Sequence, residues 1–184
     1  SHEDMRGLNP KFYQHKINLS TDAKPVHQRR YRMNPNYTAL VKEEIDKLLK
    51  ARFIRPVKQA TRLSPIVVVP KKNGKIRICI DYRKLNTVTI ADAFPLSFTD
   101  NVLDTVMGHD MDSFLDGFSG SNQVRMHSDD QEKNAFVTDW GMFIAVVMMF
   151  GLKRAPATFQ RTITEIFGEY ILGFMQVFLD DFVV

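Results

Sequence analysis

The pair Asp180-Asp181 lies between two strongly apolar stretches, Met175–Phe178 and Phe182–Val184. Adjacent carboxylates in such a place repel, by ~4 kcal/mol at ~4 Å and an effective dielectric of ~20. A solvated turn relieves part of this, and a divalent cation relieves it further. Acidic turns that simply face water are ordinary, so the pair alone decides nothing. Asp116 adds to it. It ends another apolar segment, Phe114-Leu115, directly before Gly117. If the two segments pair in one sheet, three carboxylates converge. Hard oxygens from a few Asp are what Mg²⁺ prefers, with water and substrate phosphate completing its octahedron. Two such ions ~3.5–4 Å apart can activate an attacking oxygen and stabilise a leaving one in phosphoryl displacement. Asp110 and Asp112 lie before or early in the same segment and read as solvated.

A second group of chemical residues is cationic. Ile66–Val69 is a β-branched run ending at Pro70, and Ile76–Asp81 alternates apolar with polar. Between them stands Lys71-Lys72-Asn73-Gly74-Lys75, and Asn-Gly between two such runs predicts a β-hairpin. Lys71, Lys72, Lys75 and Arg77 then sit on one tip. Lysines at a hairpin tip often serve only to protect an edge; four cations in seven residues also fit an anion site.

Other elements must carry these groups. Asn34-Pro35 marks a helix start, and Leu40, Val41, Ile45, Leu48 and Leu49 recur at helical spacing, which predicts a helix over 36–52. A short helix is expected over 97–107, a strand at Ser113–Asp116 and another at Phe143–Met149. Ala155–Tyr170 reads as an amphipathic helix burying Phe159, Ile163, Ile166, Phe167 and Tyr170. Met175–Phe178 and Phe182–Val184 read as a hairpin around the Asp pair. Residues 1–35 carry little periodicity and read as an extended arm, with one folded unit over 36–184. Helices and strands mix without regular βαβ alternation, so the class is α+β.

Composition narrows the function. Apolar residues make up 44% of the 184, enough for a packed core. The longest nearly uncharged runs, Met142–Leu152 and Tyr170–Leu179, fall short of the ~20 residues a membrane-spanning helix needs, so no membrane role is expected. Cys79 stands alone, which excludes an internal disulfide. The start, Ser-His-Glu-Asp-Met, has no apolar leader, so the expected setting is intracellular, cytoplasmic or nuclear. Net charge is +4, but it is divided. Residues 1–90 hold 20 Lys/Arg against 7 Asp/Glu, and residues 91–184 hold 5 against 14. A basic half fits a polyanion partner such as nucleic acid, although two solvated faces of opposite sign would look the same.

Four segments carry a resemblance. Val67 to Asn86, with Pro70-Lys71-Lys72-Asn73-Gly74-Lys75 at its centre, resembles the fingers motif of gypsy-type LTR retrotransposon reverse transcriptases. Phe114-Leu115-Asp116-Gly117-Phe118-Ser119-Gly120 resembles their first catalytic motif. Phe150-Gly151-Leu152-Lys153-Arg154-Ala155-Pro156-Ala157-Thr158-Phe159-Gln160 is similar to the motif lining nucleotide and template. Phe178-Leu179-Asp180-Asp181 is similar to the family's aromatic-x-Asp-Asp signature. The order and spacing agree over nearly the whole chain.

The resemblance implies the fingers and palm of a right-hand polymerase, an antiparallel palm sheet packed on helices. It implies RNA-directed DNA polymerase activity, a nucleotidyl transfer to a primer 3′-hydroxyl. Asp116, Asp180 and Asp181 would be the catalytic carboxylates. With the Gly117 carbonyl they would hold two Mg²⁺ ions, Mn²⁺ being able to substitute. Lys71 and Arg77 would meet the triphosphate, while Gly120, Ser121, Phe150 and Gly151 would line the nucleotide site. The implied partners are an RNA or DNA template with its primer and deoxynucleoside triphosphates. The thumb, connection and ribonuclease H regions have no counterpart before Val184, so these are expected as missing regions of a polyprotein and the palm as incomplete. Four positions depart from the pattern, among them Arg62, in a stretch (Thr61–Pro65) where an aromatic is common, and Asp112, where a less charged residue is usual. Ser121 stands where an aromatic ring usually closes the pocket against a ribose 2′-hydroxyl, and Met149 where a proline is usual. These departures leave a second reading, a catalytically silent nucleic-acid-binding remnant. A metal-dependent phosphodiesterase is less favoured, because no His or Lys can be placed as its general acid.

Overall fold

The structure, a computed structural model, describes residues 7–72, 74–95, 113–117, 120–171, 174–179 and 181–184. The helix expected over 97–107, together with Asp110 and Asp112, lies outside them.

Helix α1 (Thr38–Lys50) follows a single 3₁₀ turn, Pro35–Tyr37. The Asn34 side chain caps that turn by accepting from the Asn36 N–H at 3.0 Å. At the other end Arg52 takes a φ of +57°. Its N–H donates to Leu49 O, and the Phe53 N–H donates to Leu48 O, both at 3.0 Å. That is the Schellman pattern, with arginine in the position glycine usually fills. Val41 and Ile45 face inward, and Lys47 reaches Glu43 at 2.8 Å on the wet side.

A five-stranded sheet follows. Its strands are β2 (Ile54–Val57), β3 (Ser64–Pro70), β4 (Ile76–Ile80), β7 (Phe136–Thr138) and β8 (Gly141–Ala145), in the order β2-β8-β7-β3-β4. All neighbours run antiparallel except β7 and β3. The β3–β4 hairpin forms as the Asn-Gly signal predicts, from Ile66 opposite Ile80 to Pro70 opposite Ile76. β7 covers only Ser64 and Pro65 of β3. The distal half of the hairpin therefore projects, and Val67 and Val69 become exposed.

Helix α2 (Arg83–Val88) leaves β4 through Asp81-Tyr82. A three-stranded antiparallel sheet of order β5-β10-β9 holds β5 (Phe114–Asp116), β9 (Gln176–Phe178) and β10 (Asp181–Val183). Helix α3 (Ala155–Ile171) packs on β9. Its first half buries Phe159, Gln160, Thr162 and Ile163. The second half departs from the expected stripe: Ile166 and Tyr170 are exposed, and Tyr170 meets Phe174 edge-on at 5.8 Å.

One apolar cluster joins these layers, with Ile45, Ile54, Ile66, Ile80, Phe136, Phe143, Phe159 and Val177 among its members. The N-terminal segment is stitched into it. β1 (Gln14–His15) pairs in parallel with β6 (Arg125–Met126), and Ile17 is fully covered. Among the described residues no helix is long and apolar enough to cross a membrane.

Candidate active site

The register of the smaller sheet is the first fact about the site. Asp181 opens β10 directly opposite Asp116, the last residue of β5; Phe182 faces Leu115, and Val183 faces Phe114. Paired amides of Ser113 and Val184, at 2.8 and 3.0 Å, close the far end of the ladder. Asp181 is exposed. Asp180 lies outside the described residues. Among those described, no three His, Cys, Asp or Glu side chains group closely enough to hold a metal ion.

The turn carrying the Asp pair has a specific support. Phe178 pairs with Asp181, so the turn is tight, and Leu179 opens it. Leu179 has a φ of +53°, a conformation a branched side chain adopts only at a cost. Its N–H donates to Gln160 Oε1 at 3.0 Å, and Gln160 Nε2 donates to Val177 O at 3.3 Å. Gln160 is buried on α3, so helix, strand and turn are tied by one amide.

Beside this turn lies a cleft of about 280 Å³ lined by Ser121, Phe150, Gly151, Pro156, Phe159 and Leu179. A second cleft, about 310 Å³, is lined by Lys71, Arg77, Ile78, Asn122, Met149 and Phe150. Phe150 borders both and is 67% exposed. The expected cations and the expected nucleotide-lining loop thus come to adjoining clefts. Gly117 and Gly120 line a different hollow of about 200 Å³, floored by Phe159, Ile163 and Phe182. There the Gly120 N–H donates to Gly117 O at 3.2 Å.

Gly151 has a φ of +95°, and a Cβ there would meet the Tyr82 ring at 3.6 Å. The loop is held by Asn86: its Nδ2 donates to Gly151 O at 2.7 Å, and its Oδ1 accepts from the Lys153 N–H at 2.9 Å. Asn86 and Gln160 are supports that spacing alone misses. Their only signal is a polar amide inside a helix, where such residues are poor formers or usually solvated.

Electrostatics anchor the surroundings. Arg83 hydrogen-bonds Asp81 through Nε at 2.8 Å and Nη2 at 2.6 Å. That guanidinium holds the Asp81 carboxyl well below the usual range against the opposing effect of burial, with help from the Tyr31 hydroxyl at 2.8 Å. Burial alone would raise Asp92; Arg161 and Arg154, at 2.7 and 2.9 Å, outweigh it and lower the carboxyl to about 2. Burial first, and the nearby Arg154 second, lower His15 to about 4.

Comparison with known proteins settles the family. Residues 69–184 match the family described as reverse transcriptase (RNA-dependent DNA polymerase). The chain is 37% identical over 165 residues to the retrovirus-related Pol polyprotein from transposon opus of Drosophila melanogaster, covering 87% of this chain and 16% of that protein. It is 32% identical over 156 residues to the transposon Tf2-3 polyprotein of Schizosaccharomyces pombe, covering 85% and 12%. The chain thus spans less than a fifth of these relatives. The prototype foamy virus protease-reverse transcriptase superposes with a TM-score of 0.81 at 25% identity, over 92% of this chain and 22% of that one. The foamy viral enzyme in complex with RNA/DNA hybrid, 23% identical, shares the fold at 0.84 over 98% and 24%. With polymerase-like sheets, a basic hairpin and an Asp-bearing turn in one frame, the chain belongs to the reverse transcriptase family and presents the fingers and palm fold of gypsy-type LTR retrotransposon polyproteins.

Proposed function

We propose that this chain forms the nucleotide-handling part of an RNA-directed DNA polymerase, working on an RNA or DNA template with its primer. The observation that carries the reading is Asp181 paired opposite Asp116, next to a turn that borders the Phe150 cleft, which through Phe150 adjoins the cleft lined by Lys71 and Arg77. Asp116, Asp180 and Asp181 would hold two divalent cations, and their hard oxygens suit Mg²⁺ or Mn²⁺. The Gly117 carbonyl, which accepts one hydrogen bond, keeps a lone pair for the same purpose. When bound, such ions supply positive charge to the attacking and leaving oxygens. Lys71 and Arg77 neutralise the triphosphate, and Ser121, Phe150 and Gly151 receive base and sugar, with Gly120 behind them. The primer 3′-hydroxyl attacks the α-phosphorus; the new P–O bond forms as the bond to pyrophosphate breaks. Base pairing chooses the nucleotide, so the protein's share is placement and charge.

Primer extension on an RNA template with Mg²⁺ tests this. Incorporation is expected, falling by more than about a hundredfold in Asp181→Asn. Salt-sensitive duplex binding without metal-dependent incorporation would instead identify a silent binding module.

A further inference from the structure

Asn86 belongs to α2, but its side chain serves another element. Its backbone N–H donates to Tyr82 O at 2.7 Å, as a helical amide does. The carboxamide crosses to the loop before α3 and engages Gly151 O and the Lys153 N–H with its two ends. Reversing the amide would set donor against donor and acceptor against acceptor, so its orientation is fixed. Just beyond Asn86, the Lys153 ammonium donates to Thr89 O at 2.9 Å, and Asp92 holds Arg154 and Arg161.

Phe150 is mostly exposed and gains little from packing. Its position is therefore set by the backbone that follows it, at Gly151 and Lys153. α2 continues directly from β4, the strand that carries Arg77. One side chain thus ties the loop after Phe150, which borders both clefts, to the helix that follows the strand bearing the cation.

We propose that Asn86 is a positioning residue for the incoming nucleotide. It keeps Phe150 and Gly151 in fixed relation to Arg77, so that the base and phosphate ends of one ligand are met together. The identity of that ligand rests on the polymerase reading above. Without the clasp the loop loosens: binding weakens, while a nucleotide once seated reacts as before.

The test compares Asn86→Ala with Thr87→Ala in the full chain. Thr87 Oγ1 donates to Lys84 O inside the same helix, so its variant reports damage to α2 alone. Amide hydrogen exchange at Lys153 needs no substrate; it is expected to speed up about tenfold in Asn86→Ala and not in Thr87→Ala. In primer extension the nucleotide KM is expected to rise about tenfold in Asn86→Ala, with kcat unchanged. Unaltered exchange at Lys153, an equal KM rise in Thr87→Ala, or a fall in kcat alone would each overturn the assignment. No incorporation by the unsubstituted chain would overturn the polymerase reading and the nucleotide half of this one, leaving exchange to decide the clasp.

Discussion

Ser121 is nearly covered, yet it borders the same cleft as Phe150 and Leu179. A hydroxymethyl group there takes up little of the cleft. A ring at this position would narrow the space open to a sugar, and that is a matter of shape rather than charge. Ser121→Tyr is therefore expected to lower ribonucleotide use relative to deoxyribonucleotide use by about tenfold, measured as a ratio of kcat/KM values. An unchanged ratio would show that the sugar is read elsewhere. The Asp pair poses a different problem, since its usefulness depends on how firmly the turn beneath it is held.

That support is a matter of elements. A leucine at positive φ costs about 1–3 kcal/mol, and Gln160 offsets this by satisfying the turn from α3. Gln160→Ala leaves the Leu179 N–H without that acceptor. It is expected to lower stability by about 1–3 kcal/mol in urea titration and to reduce incorporation with it. The elements most legible in the sequence were those with local signals: α1 from its spacing, the β3–β4 hairpin from Asn-Gly, and the Asp-bearing hairpin from its apolar flanks. β7, β6 and α2 carry too few residues for a period to show, and β6 finds its strand partner, β1, far back in the chain. The apolar stripe of α3 was readable as a stripe. Periodicity marks which face is apolar, however, and not where the neighbouring elements stop, so Ile166 and Tyr170 belong to the stripe yet face solvent. Gln160 and Asn86 could be placed on helices but not given partners, because what they bind is loop backbone brought near only by the fold.

At the scale of the whole molecule, one buried imidazole makes stability depend on pH. His15 Nδ1 lies 2.9 Å from Thr158 Oγ1, with Arg154, Asp130 and Asp92 as the charges around it. Its folded pKa, about 4, is below the ordinary 6.5, so the unfolded chain takes up the proton first. The stability this contributes is complete above pH ~6.5 and is lost as pH falls towards ~4, about 3 kcal/mol in all. Asp81 and Asp92 are lowered carboxyls, whose contributions fade only below pH ~4, so the two windows separate. Urea midpoints at pH 7 and pH 4.5 should differ accordingly, and His15→Gln should flatten the difference. The same pairing has a bearing on biosynthesis. A ribosome adding ~5–20 residues per second needs roughly 7–30 s to travel from His15 to Thr158. For much of that interval, until β6 is made, the first strand has emerged without its berth, and Ile17 stays bare to water, to chaperones and to neighbouring nascent chains.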